Sequence, residues 1–296
     1  MQNLRLAYYC NMTISLLGVY FDKETGTIYL RARYYDPATS RMLTEDSYWG
    51  DIRDTLSLNL YTYCQNNPVN FRDPSGHIME SDYTEFKGRP DVIIAIEYLT
   101  DKWNAAKTQE AKNAIHQEAE NIRNAARNGQ AYNDRTSDVN TLLGDNVSAL
   151  ANTGSSFNLP LKVYMWYDLV RPGGSWDYKV TYSKKLSWMP EYGVCMYDGK
   201  FITAEELGNI NYGYTGTALG FGSKTLFTGG GWAAQREKTA DTSLGAPYYG
   251  DSVHDHNTIQ WGIDIYYQQN PSAKYFKWSL INIDVRPILN TLFGKN

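Results

Sequence analysis

The sequence predicts an α+β fold in which short β-hairpins come first, a helical stretch follows, and a mainly helical α+β domain ends the chain. Tyr- and Val-rich runs flank a polar turn at residues 22–26, as in a hairpin. Apolar residues recur every three or four positions over residues 91–127, the spacing of amphipathic helices. Gly-rich motifs then recur towards the C-terminus. We divide the chain accordingly into residues 1–79, 80–156 and 157–296.

Composition bounds the class of protein. A chain of 296 residues with 42% hydrophobic and 20% charged residues fits one or two globular domains. The longest apolar runs, such as residues 92–96, fall short of the roughly 20 residues that a membrane-spanning helix needs, so no integral membrane segment is predicted. Asn3, Arg5 and Asn11 interrupt the N-terminus, which does not resemble a signal peptide. Export would have to be supplied by a larger parent protein.

Several uncommon motifs occur in a fixed order near the N-terminus. They are Gly18-Val-Tyr-Phe-Asp22, Glu24-Thr-Gly26, Tyr29-Leu-Arg-Ala-Arg-Tyr-Tyr-Asp-Pro37, Asn59-Leu-Tyr-Thr-Tyr63, Asn66-Asn-Pro-Val-Asn70 and Asp73-Pro-Ser-Gly76. On these motifs residues 18–76 resemble the RHS repeat-associated core of Rhs and YD-repeat proteins. The resemblance implies a parent Rhs or YD-repeat shell and a polymorphic toxin domain after the core. Because the segment begins at Gly18, we expect a truncated or orphan toxin cassette, or the tail of a longer protein.

The end of this segment raises the question of autocleavage. In many Rhs proteins the core ends in Asp-Pro-x-Gly-Leu and an aspartyl autoprotease cuts just beyond it, so the resemblance implies Asp73 as the autocleavage residue. Two acids that share a proton can activate water, and Asp36, Asp46 and Asp54 are the candidate partners. His77 stands where the family has Leu. We therefore expect the chain to be cut poorly or not at all.

Residues 80–156 are predicted to form a helical linker region. Apolar residues recur at Ile93, Ile96, Leu99 and Trp103, and again at Ala111, Ile115, Ala119, Ile122 and Ala126. This spacing predicts two helices over residues 91–127 with a break near Lys107-Thr108, and Asn128-Gly129 is typical of a helix stop. A third helix is predicted over residues 138–150, followed by a small polar linker at residues 151–156.

A second set of motifs lies in the C-terminal residues. They are Gly174-Ser-Trp-Asp-Tyr-Lys179, Gly208-Asn-Ile-Asn-Tyr-Gly213, Gly231-Trp-Ala-Ala-Gln235, and Gly250-Asp251 with Asp255. On these motifs residues 157–296 resemble the polymorphic toxin type 44 domain, a bacterial toxin family predicted to act as a ribonuclease. The resemblance implies RNA as the substrate. Because the change of composition and the polar linker mark a domain boundary, we expect residues 157–296 to suffice for toxicity.

The densest cluster of titratable groups lies at residues 250–256. It begins a predicted helix, which Asp251 or the following serine caps, and Asp251 and Asp255 are four residues apart on one face. The pair is suited to act as acid and base or to bind a divalent metal, and His254 or His256 is suited to act as general base at a ribose 2′-hydroxyl. The alternative is a helix cap followed by a solvated first turn.

Five further residues are candidates around the same centre. Asn209 and Tyr212 lie in a predicted Gly-rich loop that binds phosphate or orients water; alternatively Asn209 caps a helix and Tyr212 fills a groove. Aromatic and charged residues alternate in Trp-Asp-Tyr-Lys, residues 176–179, as they do in a strand with one polar face. Lys179 is predicted to stabilise a developing anion, and Asp177 is predicted to hold Lys179 in place. The alternative is a cross-strand salt bridge. Gln235 is predicted to donate to this centre or to cap a buried turn.

Charge and aromatic content do not decide the substrate. Residues 160–296 contain 13 Lys and Arg and 12 Asp and Glu, a net charge of +1, whereas a nucleic-acid-binding domain usually carries a basic patch. Tyr and Trp can stack on bases or line a sugar-binding groove.

We expect a ribonuclease toxin that acts in competition between bacteria. It would be secreted, or delivered as the C-terminus of a larger exported protein, and would act in the cytoplasm of the target cell. Its partners would be RNA and a cognate immunity protein, with a divalent metal as the candidate cofactor. The alternatives are a peptidoglycan-directed hydrolase, whose Gly-rich groove binds cell-wall polymer, and an inert orphan cassette.

Overall fold

The computed structural model describes residues 20–22, 25–30, 33–46, 59–66, 82, 85–152, 159–241, 243–273 and 281–294. Contacts divide the chain into two compact units, Met1–Tyr132 and Asn133–Asn296. The division falls inside the segment predicted as the helical linker region. Each unit is described by itself below.

The first unit begins with a small antiparallel sheet, as the N-terminal turns predict. Its strands, in spatial order, are β1 (Tyr20–Asp22), β2 (Thr27–Tyr29), β3 (Tyr34–Asp36) and β4 (Arg41–Met42). In the β1–β2 hairpin Tyr20 pairs with Tyr29, and Gly26 closes the turn with a positive φ of 71°. The conformation at this turn favours glycine.

The acids proposed for autocleavage are only partly described. Asp73 and Asp54 lie outside the described residues. Asp36 accepts hydrogen bonds from the Ala38 amide and the Thr39 hydroxyl, and Asp46 forms an ion pair of 2.8 Å with an arginine. Autocleavage at Asp73 stays a prediction.

The two helices predicted over residues 91–127 are present. Helix α1 spans Pro90–Ala105 and helix α2 spans Gln109–Asn128. The break falls at the predicted position because Thr108 caps α2, its hydroxyl accepting from the Ala111 amide at 3.2 Å. Gly129 ends α2 with a left-handed φ of 60°.

The second unit is mainly helical with one two-stranded hairpin. Its helices are α3 (Thr136–Asn152), α4 (Leu159–Val170), α5 (Tyr178–Lys185), α6 (Ala204–Ala218), α7 (Ser223–Glu237), α8 (Val253–Gln269) and α9 (Arg286–Phe293), and β5 (Val194–Tyr197) pairs antiparallel with β6 (Lys200–Thr203). The mixed, mostly helical architecture confirms the predicted α+β class. No helix in the described part of the chain is long and apolar enough to span a membrane.

Two predictions of local structure in this unit are wrong. Trp-Asp-Tyr-Lys does not form a strand, because Asp177 is the N-cap residue of α5. The segment that contains Asn209 and Tyr212 is not a loop, because it lies within α6. A capping box begins α6: Thr203 Oγ1 accepts from the Glu206 amide, and the Glu206 carboxylate accepts from the Thr203 amide.

Helices α6 and α8 cross closely through two glycines. A Cβ atom at Gly213 would overlap the carbonyl oxygen of Ile259, and a Cβ atom at Gly262 would overlap that of Ile210. Only glycine permits this approach of the two backbones. The crossing brings the first half of α6 beside the first turn of α8.

Helix α3 belongs to the core of the second unit. Its residues Val139, Leu143 and Leu150 are buried in the same apolar cluster as the residues of α6 and α8. Asn146 Nδ2 donates at 2.8 Å both to the Tyr178 hydroxyl and to the side-chain oxygen of a buried asparagine on α6. A C-terminal domain without α3 would expose this apolar surface and leave the buried asparagine on α6 without that donor.

We predict that a fragment of residues 133–296 unfolds cooperatively, whereas a fragment of residues 157–296 does not. Burial of a large apolar side chain contributes about 1.5–3 kcal/mol, so the loss of three approaches the whole stability of a domain, about 5–15 kcal/mol. Thermal unfolding followed by circular dichroism measures the difference. Equal melting temperatures for the two fragments would contradict this role of α3.

Candidate active site

A cleft of about 650 Å³ lies in the second unit and is lined by residues from α4 through α9. It brings together six of the predicted site residues, namely Asp177, Lys179, Asn209, Tyr212, Asp251 and Asp255. These residues come from the turn before α5, from α5 itself, from α6 and from the start of α8. The site is therefore assembled from segments that are distant in sequence.

Asp255 is held by hydrogen bonds from two helices. Ser252 is the N-cap of α8: its hydroxyl accepts from the Asp255 amide at 2.9 Å and donates to Asp255 Oδ2 at 2.8 Å. Asn209 Nδ2 donates to Asp255 Oδ1 at 2.8 Å. Each carboxylate oxygen thus accepts one side-chain hydrogen bond, which fixes the orientation of Asp255 in the cleft.

Asp251 precedes the cap and is buried, with 6% of its surface exposed. Its Oδ1 accepts from the Ser252 amide at 3.0 Å. A Cβ atom at Gly230 of α7 would lie 2.7 Å from Asp251 Oδ2, so the carboxyl packs directly against the α7 backbone. Burial, and then the charge of Asp255, raise the pKa of Asp251 to about 7. A carboxyl with this pKa can take up or release a proton near neutral pH.

Tyr212 contributes a phenol that stays protonated. Its hydroxyl donates to the carbonyl oxygen of Leu226 at 2.9 Å. Burial, and then the charge of Asp251, raise the pKa of Tyr212 above its ordinary value. Asn209 and Tyr212 lie three residues apart in α6 and both line the cleft, so Asn209 does not cap a helix.

Lys179 is held by Glu205 of α6, and not by Asp177. The Lys179 ammonium donates to Glu205 Oε1. Burial lowers the pKa of Lys179, but the hydrogen bond and charge of Glu205 and the charges of Glu237 and Asp255 outweigh it, so its net pKa is raised and the ammonium stays charged. Asp177 instead accepts from a backbone amide of its own turn at 2.8 Å. The expectation that Asp177 holds Lys179 is wrong.

Glu205 lines the cleft and is absent from the sequence-based candidates. It follows Thr203 at the start of α6, where an acid is expected to favour the positive end of the helix dipole. The only sequence signal was this helix-start pattern, and it does not distinguish an acid that faces a functional lysine from an acid in a solvated first turn.

Three predicted residues lie elsewhere. Among the described residues that line the cleft, His254, His256 and Gln235 are absent. His254 Nε2 lies 3.4 Å from the buried carboxylate of Glu206. The His256 ring packs on Phe227 at 3.9 Å between centroids, and burial lowers its pKa. Gln235 is exposed on α7.

The described ranges contain no group of three or more His, Cys, Asp or Glu side chains arranged to hold a metal ion. The buried Cys195 is not suited to act as a nucleophile. Burial raises the pKa of its thiol to about 12, so the reactive thiolate is not formed near neutral pH.

The part of the chain that contains the cleft is similar to a known family. Residues 165–269 match the family described as bacterial toxin 44, in agreement with the resemblance noted from the sequence motifs. The match includes all six predicted residues that line the cleft. The resemblance of residues 18–76 to the RHS repeat-associated core stays a prediction.

Three curated proteins to which the chain is similar carry the names of tRNA nucleases. The chain is 32% identical over 120 residues, 39% of its length, to the tRNA3(Ser)-specific nuclease WapA of Bacillus spizizenii. It is 48% identical over 60 residues, 20% of its length, to the tRNA(Glu)-specific nuclease WapA of Bacillus subtilis subsp. natto, and 47% identical over 93 residues, 30% of its length, to the tRNA nuclease WapA of Bacillus subtilis strain 168.

These alignments cover 5%, 3% and 4% of the relatives' own lengths. They therefore compare short segments, and the activity of the whole relatives does not transfer directly. No solved structure matches the chain significantly.

We predict that Asp251→Asn stabilises the protein, and more so at alkaline pH. The pKa of Asp251 is raised from 3.8 in the unfolded chain to about 7 in the folded protein. Because the unfolded chain releases this proton at lower pH, the free energy of unfolding falls as pH rises between these two pKa values. The neutral amide removes this penalty, on the order of 2–4 kcal/mol above neutral pH.

Urea unfolding at several pH values measures the change. Asp264→Asn is the matched control, because Asp264 is an exposed acid on the same helix. A lower stability of Asp251→Asn at alkaline pH would show that Asp251 does not carry the expected penalty.

We also predict that His254→Ala keeps wild-type activity, because His254 faces Glu206 and not the cleft. Initial rates of the purified variant check this. A loss of about 100-fold or more, the scale on which general bases act, would return His254 to the catalytic residues.

Proposed function

We propose that the cleft cleaves phosphodiester bonds in RNA and that the chain is a ribonuclease toxin. The observation that carries the proposal is Asp251, a buried carboxyl with a pKa of about 7 that shares one cleft with Asp255 and the charged Lys179. The match to bacterial toxin 44 and the likeness to tRNA nucleases support it. Transfer RNA is accordingly the first substrate to test.

The residues suit transesterification at a ribose 2′-hydroxyl. Ionised Asp251 accepts the 2′ proton, and the 2′ oxygen bonds to the adjacent phosphorus. Lys179 leaves Glu205 and stabilises the charge that develops on the phosphoryl oxygens. The bond from phosphorus to the 5′ oxygen breaks, that oxygen takes a proton from water, and Asp251 returns its proton to the solvent. The products are a 2′,3′-cyclic phosphate and a 5′-hydroxyl. Burial, and then the charge of Asp255, which Asn209 fixes, raise the pKa of Asp251 into the working range.

The same cleft supports a second candidate, a peptidoglycan-directed hydrolase. The described residues that line it include three cations, Arg171, Lys179 and Arg236, and five acids. This acid excess does not attract a polyanion, whereas two carboxyls beside aromatic side chains also suit the hydrolysis of a sugar polymer.

The proposal also covers how the toxin is delivered, where it acts and what neutralises it. It would be delivered as the C-terminus of a larger exported Rhs or YD-repeat protein, act in the target-cell cytoplasm, and be neutralised by a cognate immunity protein. The small share of the relatives that aligns with this chain is consistent with a domain of a longer protein. A divalent metal stays a prediction, and no step above depends on it.

Incubation of the purified chain with total RNA and with purified peptidoglycan, each with and without a chelator, tests the proposal. We expect RNA fragments that end in 2′,3′-cyclic phosphates. Growth arrest on cytoplasmic expression is expected as well, whereas a cell-wall hydrolase would require export to the periplasm. Release of peptidoglycan fragments with RNA left intact would favour the second candidate.

We predict that Asp251→Asn and Lys179→Ala each lower kcat/KM by about 100-fold or more, the usual range for a lost general base or a lost electrostatic contact. The wild-type rate should rise with pH and level off above about 7, because the ionised form of Asp251 is the base. Initial rates on a labelled RNA across pH measure both effects.

Asp264→Asn and Lys184→Ala are the matched controls, since both residues are exposed and lie outside the described cleft lining. They should retain wild-type rates. Unchanged rates in Asp251→Asn, with the folded state confirmed by circular dichroism, would remove Asp251 from the mechanism.

A further inference from the structure

Three consecutive glycines lie in the middle of α7, and the proposed chemistry gives them no part. They are Gly229, Gly230 and Gly231. Glycine in the middle of a helix is destabilising relative to alanine, because glycine loses the most backbone freedom on folding. A run of three therefore indicates close contacts that side chains would prevent.

The two outer glycines accommodate groups that are held in place. A Cβ atom at Gly229 would overlap the hydroxyl of Tyr212, which donates to the Leu226 carbonyl. A Cβ atom at Gly231 would overlap the backbone carbonyl oxygen of Tyr249. These contacts pack α6 and the turn before α8 against the backbone of α7.

The turn before α8 brings Asp251 to this backbone. Tyr249 has a positive φ of 56° and Gly250 a positive φ of 93°, and a positive φ is uncommon for a residue with a side chain. The Asp251 amide donates to the Tyr248 carbonyl at 3.0 Å. The guanidinium of Arg286 lies 5.2 Å from the centre of the Tyr249 ring. The backbone before Asp251 is thus held in one sharp turn beside α7.

The middle glycine differs from the other two because its nearest neighbour is the end of a side chain. A Cβ atom at Gly230 would lie 2.7 Å from Asp251 Oδ2 and 3.2 Å from Ile259 Cδ1. Gly230 and Asp251 both line the cleft. A carboxyl group can rotate away from a methyl group at modest cost. Alanine at residue 230 would therefore leave the helices in place and move the carboxyl.

We propose that Gly230 is a positioning residue of the active site, because its bare backbone seats Asp251 Oδ2 and so fixes the carboxyl that accepts the 2′ proton. This inference rests on the proposed ribonuclease function. Gly230 acts through Asp251 and takes no part in the proton transfer itself. Its effect can be large, because a misplacement of about 1 Å can cost on the order of 100-fold in rate.

The same contact keeps the carboxyl away from water. Asp255 on α8 and Tyr212 on α6 face Asp251 with titratable groups, Lys179 of α5 lines the same cleft, and α7 faces it with the backbone of Gly230. Burial is the largest cause of the raised pKa of Asp251. A methyl group at residue 230 would push the carboxyl towards the open cleft, where contact with water lowers its pKa.

Carbon-13 NMR of the full chain, labelled at the aspartate carboxyls, tests this contact without a substrate. The Asp251 resonance is the one that Asp251→Asn removes. We expect Gly230→Ala to melt near the wild-type temperature and its Asp251 to titrate on the order of one pH unit lower, because the carboxyl loses part of its burial. On a labelled RNA, kcat/KM should fall on the order of 100-fold, and the pH midpoint of the rate should move with the titration.

Two controls separate this role from other effects of a methyl group. Gly144→Ala adds one to an exposed helical glycine with nothing within 4 Å, and it should leave the titration and the rate unchanged. In an Asp251→Asn background Gly230→Ala should cause no further loss of rate, because it acts only through Asp251.

Several outcomes would overturn the positioning role of Gly230. They are a further loss of rate in that background, an Asp251 titration that stays in place or moves to higher pH, and a Gly230→Ala chain that does not fold. A further loss would mean that the methyl group obstructs the substrate itself. Failure to fold would mean that the carboxyl cannot relieve the overlap.

The titration and the cleavage assay let the two proposals fail separately. Cleavage of RNA by the wild-type chain, with an unmoved titration in Gly230→Ala, removes the positioning role and leaves the ribonuclease. A lowered titration in a chain that does not cleave RNA retains Gly230 as the residue that seats Asp251 and removes the ribonuclease.

Discussion

The close crossing of α6 and α8 is the constraint on which the cleft depends. Gly213 and Gly262 allow each helix to contact the backbone of the other. At this separation Asn209 reaches Asp255, and the first turn of α8 becomes one side of the cleft. A methyl group at either glycine would push the helices apart and break that hydrogen bond, because backbone atoms cannot move aside as a flexible side chain can.

Burial raises the pKa of Asp251 to about 7, and the pairing of charges in the cleft leaves this shift in place. A cation within about 4–6 Å of a carboxylate lowers its pKa by 1–3 units, and an ion pair with Lys179 would therefore leave Asp251 a weak base. Glu205 instead holds the ammonium, and only the Ser252 amide donates to Asp251 among the hydrogen bonds described. The arrangement costs stability, because a buried acid without a cation resists ionisation, and in return it provides a base that titrates near pH 7.

Much of the helical structure follows from the sequence, because the apolar spacing, the Thr108 cap and the Gly129 stop all indicate the same boundaries. Asp251 and Asp255 do line one cleft, but they do not share a helix face as their spacing of four predicts, because Asp251 lies before the N-cap Ser252. The Gly-rich motif around Asn209 led to a wrong prediction, because it lies in α6. A glycine needed for a loop and a glycine needed for helix contact look alike in a sequence, so the segment around Asn209 was predicted to be a loop.

The remaining errors have a similar cause. Glu205 resembles an ordinary acid at a helix start, and only the fold shows that it meets Lys179. His254 and His256 are candidates because they fall in the densest cluster of titratable groups, yet on a helix neighbours in sequence point in different directions. One contacts a buried glutamate and the other an aromatic ring. Such pairings depend on contacts between segments far apart in the chain, which local spacing does not encode.

The charge of the cleft limits how it can recognise a nucleic acid. Proteins that grip a duplex neutralise many phosphates and gain affinity from released counterions. Here Lys179 is paired with Glu205, Arg171 is paired with an aspartate, and Arg236 donates to backbone carbonyls, so few positive charges are free to serve this purpose. Affinity would have to come from stacking and directed hydrogen bonds at one or two nucleotides. Under the proposed ribonuclease function such contacts would require an unpaired base, so a loop of a folded RNA would suit the cleft better than a continuous helix.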